Sequence, residues 1–503
     1  MAHSSKATSV CTTAQPPTVF KRVLFWCAAT ILMGSVFACG STPRHATSDK
    51  PKPRRPPNIL LVIADDLGYA EVGCYGQRTI RTPHIDELSR RGVRFVEAYS
   101  GSCVCAPSRC TLLTGRHTGH CEIRDNKELA PTGQQPLGPD ALTLAQMLRS
   151  QGYATGVIGK WGLGPPGSTG DPSRQGFDHF FGYLCQRHAH NHCPAYLYRN
   201  AERVELAGNK DRWESGVVIP GSTYAPDLFR DEAVRFIDEH RDRPFFLLFA
   251  TPVPHAAIQV PDDSLAPLVG TIPDAPYDGS KGYLKHPTPR AGYAAMVTRM
   301  DDDFGQILRR LRELGLEQDT IVIFTSDNGP TFNGGTDSTY FESTAGLRGL
   351  KCQLYEGGIR VPLIIAWPER IRVGVSHGVT ANWDLFPTLI HLAGLDASRL
   401  PETLDGIDLT PQLVRTDPLP QRESLYWEYH AGGGWQAVRL GDFKGVRRHA
   451  KKQPDGPIEL YHLARDPHET TDVAAEHPAI VARIRAIMAA RTRSPVPEWN
   501  FGP

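Results

Sequence analysis

The sequence predicts an α/β fold, with one large domain on a mainly parallel sheet followed by a smaller antiparallel unit. Three observations lead there. Short uninterrupted apolar runs, such as 59–63, 245–249 and 321–324, alternate with stretches of helical period, and an apolar run without alternation marks a strand buried on both faces. Several of these runs stop abruptly in charged or polar residues, which is the edge where open α/β sheets bind ligands. Beyond about Leu404 the texture changes to shorter elements. A chain of 503 residues with 47 Gly and 42 Pro is long enough for a large domain plus a second unit, and rich in loops.

The chain opens with the form of an export signal. Lys21-Arg22 precedes an uncharged apolar run from Val23 to Ala38, a basic region followed by a hydrophobic one that is short for a membrane span. Val36-Phe37-Ala38-Cys39 resembles a bacterial lipobox with Cys39 as the lipidated residue, although Phe37 is atypical there. Cleavage after Ala38 and a retained anchor helix are the alternatives. The stretch up to Pro57 is rich in Ser, Thr, Pro and Lys and reads as a flexible tether. The expected organisation is a signal peptide over 1–38, a tether over 39–57, a main domain over 58–403 and a small C-terminal subdomain over 404–503. The expected location is a bacterial periplasm, free or membrane-anchored as a lipoprotein.

In order, Ile59 to Ile63 is a buried strand that ends in Asp65-Asp66. Helix is expected from Thr82 to Gly92, strand over 93–95, and amphipathic helix from Leu142 to Gln151. A short strand, 154–158, runs into Gly159-Lys160-Trp161-Gly162. Residues 165–200 read as loop and carry His188, His190 and His192; if extended, these would share one face, as a metal site, a substrate-binding edge or a solvated loop. Helix over 227–240 and strand over 245–249 lead to His255. A long helix, 291–314, carries a core stripe from Met296 to Leu311, with Asp301-Asp302-Asp303 assigned to its solvated side. The strand 321–324 ends in Ser326-Asp327-Asn328-Gly329; Lys351 precedes a further strand, 363–366, and a helix over 383–393. An antiparallel meander over 424–446 and a closing helix, 479–491, complete the chain.

Net charge is +1 with no long basic block, so nucleic acid is not an implied partner. The eleven cysteines form no CxxC pair. Cys185 and Cys193 could close a short loop, although spacing does not establish a pair. A zinc or cluster site from Cys103, Cys105, Cys110 and Cys121 lacks paired spacing.

Cys105 lies two residues before Pro107. Pro is well tolerated at a helix's first position, so Cys105 is expected at a helix N-terminus, where backbone N–H groups favour an anion. Arg109, one turn on, adds positive charge. An inert buried Cys and a reactive one look alike at this point. The other strand ends supply Asp65, Asp66, Lys160, His255, Asp327 and Asn328, and Lys351 joins them; together they imply one pocket. Three carboxylates and an amide form an all-oxygen set suited to Ca²⁺ or Mg²⁺ rather than zinc. Arg109, Lys160 and Lys351 cannot bind that cation. They suit an anionic ester, and so reaction at phosphorus or sulfur.

The run Cys105-Ala106-Pro107-Ser108-Arg109, followed by Leu112-Leu113-Thr114-Gly115-Arg116, resembles the signature of the type I, formylglycine-dependent sulfatases, in particular the arylsulfatase and N-acetylgalactosamine sulfatase group. The resemblance extends over nearly all of the chain from Asn58, through Asp65-Asp66, Gly159-Lys160-Trp161, Pro254-His255, Ser326 to Gly329 and Lys351 to Pro362. It implies an alkaline-phosphatase-like sandwich with a mixed sheet and a small C-terminal sheet domain. It implies that Cys105 is oxidised to formylglycine by a formylglycine-generating enzyme, and that Asp65, Asp66, Asp327 and Asn328 bind Ca²⁺ together with the residue at 105. Arg109 would fix the aldehyde hydrate, and Lys160, His255 and Lys351 would grip the sulfate. His255 and Lys351 are the candidate acids for the leaving alcohol.

One departure stands out. The family often has His two residues after the Lys, where this chain has Gly162. In the family that His helps to take the proton from the hemiacetal formed after sulfate transfer, so another base is needed; His190, or failing it His188, is the expected replacement. The Gly162 variant and the 187–192 loop resemble those of enzymes acting on galactose or N-acetylgalactosamine sulfates. His430, Trp435 and Arg439 could line a sugar pocket or could be packing residues. The rival readings are a phosphodiesterase or phosphonate monoester hydrolase of the same superfamily, and a non-catalytic glycan-binding relative.

Overall fold

The computed structural model describes residues 55–130, 133–210, 213–214, 217–218 and 221–502. The expected signal segment, Cys39 and the expected tether up to residue 54 lie outside them. The main elements are strand β1 (Asn58–Ala64), helix α1 (Pro83–Arg90), β2 (Val93–Phe95), α2 (Cys105–Thr114), α3 (Leu144–Ser150), β3 (Ala154–Lys160), β4 (His179–Tyr183), β5 (Tyr196–Arg199), β6 (Glu202–Glu205), α4 (Ala225–His240), β7 (Phe245–Ala250), α5 (Pro289–Glu313), β8 (Thr320–Ser326), β9 (Leu363–Ala366), β10 (Gly374–Ser376) and α6 (Leu385–Leu392). Four strands, β11 (Leu425–Tyr429), β12 (Trp435–Leu440), β13 (Phe443–Arg448) and β14 (Glu459–His462), then precede α7 (Pro478–Ala489).

The large sheet has ten strands in the order β10-β2-β9-β8-β1-β7-β3-β4-β5-β6. Its centre, β8-β1-β7-β3-β4, is parallel, and antiparallel strands flank it on both sides. Side chains of a strand alternate between faces. Accordingly Ile59, Leu61 and Ile63 pack with Phe246, Ile323 and residues of α2, α3 and α6. Leu60 and Val62 pack on the other face with Leu247, Phe324 and residues of α1, α4 and α5. This is the α/β sandwich expected, with the antiparallel strands β9 and β5 set directly against its parallel centre.

Between β7, β3 and β4 the backbones approach closely. Gly159 has φ +108°, and a Cβ there would lie 2.0 Å from the Ala250 carbonyl oxygen; a Cβ on Gly182 would lie 1.8 Å from the Gly159 carbonyl. Gly serves such positions because it has no side chain to clash, and here it fixes the backbone one residue before Lys160.

The small sheet is antiparallel in the order β11-β12-β13-β14. One face packs on Tyr99, Tyr355 and Trp383 of the larger layer, and the other is covered by α7 through Ile484 and Met488. Buried Lys444 bridges Glu356 and Glu469 at 3.0 Å each.

Three readings change. Residues 165–200 are not all loop, because β4 and β5 lie there and His188–His190 form a single 3-10 turn; short strands amid Pro, Asn and His carry too little pattern to be seen. The three histidines therefore do not share an extended face. Asp301 and Asp303 are buried rather than solvated: Asp301 accepts from the His84 and Ile85 N–H groups at the start of α1, and Asp303 pairs with Arg230 at 3.0 Å. Cys185 and Cys193 are both free thiols.

Replacing Gly159 with Ala should destabilise the fold by about 3 kcal/mol, the upper end of ordinary substitutions, measured by urea denaturation followed by circular dichroism.

Candidate active site

The central parallel strands all point their C-terminal ends to one edge, and the site is built there. Helix α2 begins at Cys105 itself, two residues earlier than Pro107 suggests. Pro107 is tolerated because first-turn N–H groups have no helical partner to lose. The Ala106 N–H is satisfied by Asn126 Oδ1 at 2.9 Å, from a loop whose sequence gave no sign of it.

Asp65, Asp66, Asp327 and Asn328 are fully buried. Asp66 holds φ +66°, a left-handed conformation uncommon for a residue with a side chain. Its N–H donates to Asp327 Oδ1 at 3.1 Å, and Asn328 Nδ2 donates to Asp66 Oδ1 at 2.7 Å. Each acid meets a cation. Lys160 Nζ lies 2.5 Å from Asp65, and Lys351 Nζ lies 2.8 Å from Asp66 Oδ2. Arg109 donates through Nε and Nη2 to Asp327 Oδ2, at 3.1 and 2.8 Å, and through Nη1 to the Lys160 carbonyl at 2.7 Å.

Cys105 sits among both signs of charge. Its Sγ is 3.4 Å from Asp65 Oδ1 and 3.6 Å from Lys351 Nζ. Lys351 Nζ is also 2.9 Å from His255 Nε2. His255 Nδ1 contacts the Ala256 carbonyl, which leaves Nε2 facing Lys351. All nine predicted positions other than His190 thus join one contact network, and His190 stacks on the His255 ring at 4.3 Å with Nδ1 3.3 Å from the Tyr283 hydroxyl. His188 is elsewhere, its ring 4.4 Å from that of Tyr196. His192 Nε2 lies 2.9 Å from the His255 carbonyl oxygen and braces that loop.

Burial raises carboxylate pKa values and neighbouring cations lower them. At Asp65, Lys160, His255, Arg109 and Lys351 outweigh burial and hold it well below the usual range. Burial wins at Asp66 against Lys351, and together with Asp65 it pushes Asp327 up to about 7. Asp65 and Asp66 in turn overcome burial and keep Lys160 and Lys351 above their ordinary values. Burial, then Asp65, pushes the Cys105 thiol up to about 12, unlike the low-pKa thiols of reactive cysteines.

The donor set fits a hard cation. Three buried carboxylates converge, and Asn328 Oδ1 has no hydrogen-bond partner within the protein, so a fourth oxygen is left over for a cation.

Residues 57–395 match the family model described as Sulfatase, and residues 350–493 match that of the N-sulphoglucosamine sulphohydrolase C-terminal region. The chain belongs to the sulfatase family. It is 31% identical to human arylsulfatase A over 89% of this chain and 90% of that protein. It is 29% identical to an N-acetylgalactosamine-6-O-sulfatase of Bacteroides thetaiotaomicron, over 86% and 92% respectively. A crystal structure of Ps i-CgsB in complex with a neocarrahexaose superposes with a TM-score of 0.73 at 26% identity, covering 88% of this chain and 94% of that one. The fold is accordingly the alkaline-phosphatase-like one, and this sulfatase is a sulfuric ester hydrolase.

Sequence reasoning missed Tyr283 and Gln186 in this sulfatase. A Cβ on Gly162 would fall 1.7 Å from Gln186 Nε2, so the Gln186 amide occupies the space a side chain at 162 would need. Gln186 is 4% exposed, and neither amide atom has a partner. Only the glycine at 162 hinted that another segment enters there. Of the residues named for a sugar pocket or for packing, His430 lies 3.0 Å from Glu428, Trp435 packs edge-on against Tyr355, and Arg439 pairs with Glu97 at 2.6 Å.

Arg109→Ala leaves Asp327 buried without its cation. Loss of one partner of a buried pair costs about 3–5 kcal/mol, and guanidinium denaturation of the cation-free protein should show a fall of that order.

Proposed function

We propose that the protein is an exported, formylglycine-dependent sulfatase that removes sulfate from carbohydrates, with galactose or N-acetylgalactosamine sulfates as its class of substrate. The observation that carries this is the position of Cys105, first residue of α2, wedged between Asp65 and Lys351. The sugar assignment draws on the relatives named above and on the 187–192 loop. Export draws on the basic pair and apolar run at 21–38, with a periplasmic or Cys39-anchored lipoprotein as the two forms. A formylglycine-generating enzyme is the maturation partner this requires.

Asp65, Asp66, Asp327 and Asn328 would hold Ca²⁺, which as a bound Lewis acid supplies charge stabilisation at the sulfate oxygens. Formylglycine at position 105 would supply a hydrated aldehyde, one hydroxyl to attack sulfur and a second whose deprotonation expels sulfate. Arg109, held by Asp327 and the Lys160 carbonyl, orients the residue at 105. Lys160 and Lys351 offer ammonium groups to the sulfate oxygens. Lys351 and His255 Nε2 share a hydrogen bond, so this pair can pass a proton to the leaving sugar oxygen, which as a free alkoxide departs poorly. His190, stacked on His255, is the base proposed in place of a residue-162 imidazole. The Gln186 amide cannot take a proton; with both atoms unpartnered it is placed to bond the substrate instead.

Peptide mass spectrometry of active enzyme should find Cys105 converted to formylglycine; an intact thiol there would overturn the mechanism. Chelation with EGTA should abolish turnover and added Ca²⁺ restore it. An aryl sulfate should be hydrolysed well ahead of the matched aryl phosphodiester, the reverse order favouring the phosphodiesterase reading. Removing a positioned general base costs about 10²–10⁴ in rate, so His190→Ala should lose kcat on that scale. Full turnover in both His190→Ala and His188→Ala would remove these histidines from the reaction.

A further inference from the structure

The small C-terminal sheet carries a second charged cavity. It has a volume of about 270 Å³, lies between β12, β13, α7 and the C-terminal segment, and is lined by none of the active-site side chains described above. Arg447, Arg485, Arg491 and Arg493 line it, and Asp455 is the acid among its walls.

The arginines are not equivalent. Arg491 is neutralised by Glu428, at 2.6 Å. Glu428 is already shared with Arg124, at 2.9 Å, and His430, at 3.0 Å, so it has nothing left for Arg447. Arg485 donates to the Asp455 carbonyl oxygen at 2.9 Å, a neutral acceptor. Arg493 is exposed. Arg447 is the telling case. It projects from β13 and is 4% exposed. Its Nη1 donates to Gln436 Oε1 at 2.9 Å, another neutral acceptor, while Nε and Nη2 have no partner. Burial, then the nearby Arg485, pushes its pKa down.

Asp455 offsets this only in part and from a distance, and a buried guanidinium with no direct ion pair is costly unless a ligand completes it. The two unpartnered nitrogens, Nε and Nη2, lie along one edge of the planar fork, the geometry that binds two oxygens of a tetrahedral oxyanion at once. We propose that this cavity is a second, non-catalytic anion site that holds a sulfate group in the grip of Arg447, with Arg485 and Arg493 supplying further positive charge. The oxyanion site stands on this geometry alone. The choice of sulfate rests on the sulfatase reading, with the group either a free product ion or a sulfate of the glycan chain at a point the active site does not touch.

Calorimetric titration of the full chain with sodium sulfate at constant ionic strength tests this, repeated on Arg447→Gln and on Arg485→Gln, which keeps the test open if the buried variant does not fold. Losing a charge-assisted bidentate contact should weaken one sulfate-binding component about tenfold or more, while aryl sulfate turnover stays close to that of the unaltered protein. Competition for that component by a sulfated oligosaccharide, but not by its desulfated form, upholds the site and identifies the glycan as its ligand. No competition upholds it as a site for the free ion. Sulfate binding unchanged in every variant that folds overturns it, leaving a cavity filled by water. Failure of the sulfatase reading would show separately, as no turnover of aryl sulfate by the unaltered protein, and inorganic phosphate titrated in the same way would then probe the oxyanion site independently.

Discussion

Asp65, Asp66 and Asp327 are held together where water does not reach, and much of the site answers their mutual repulsion. Adjacent parallel strands lie only about 4.8 Å apart, and β1 pairs with β8 in register up to Ala64 and Ser326. The acids that follow those two strands cannot separate without breaking the centre of the sheet. Their charge must be met by other groups, and Lys160, Lys351 and Arg109 each meet one of them directly. A fold gains little stability from such an arrangement, since apolar side chains of the same volume do as well or better. On the proposed reading its use lies in holding a cation on the carboxylates and an anionic ester beside it, with the basic groups turned to the ester.

The rest of the molecule keeps these groups from drifting. Lys160 ends a strand whose neighbours approach so closely that only Gly fits at 159 and 182. Lys351 comes from a loop, and a loop is a poor platform for a catalytic group. It is fixed from two sides. The Cys352 N–H donates to the Cys103 carbonyl at 3.0 Å, tying this segment to the start of α2. Further along, the Glu356 N–H and carboxylate are held by Glu469 and Lys444. The small sheet thereby braces the segment that carries Lys351.

The central sheet was legible in the sequence because its strands are buried on both faces and so read as plain apolar runs. The site was legible for a related reason: its charged residues stand where those runs stop. Strands β4 and β5 were not legible, being short and set among residues typical of loops. Asp301 and Asp303 were misplaced because a run of three acids on a helix resembles a solvated face, and only tertiary contacts reveal that Asp301 caps α1 and Asp303 faces Arg230. Asn126, Tyr283 and Gln186 have no local signature at all. They enter from distant segments, and nothing in their own neighbourhoods announces it.

Gly162 shows how one missing side chain rearranges what surrounds it. A Cβ at 162 would overlap Gln186, so the glycine and the buried amide are a matched pair: a bulky residue at 162 would require Gln186 to leave. An amide in that space can donate and accept hydrogen bonds but cannot carry a proton away. Whatever basic function an imidazole would have there must come from elsewhere, and the imidazole the fold brings against His255 is that of His190, four residues after Gln186 on the same loop. On the proposed reading the 184–192 loop therefore does two things together. Gln186 fills the space vacated at 162, and His190 supplies the imidazole against His255 instead, with Tyr283 beside its Nδ1.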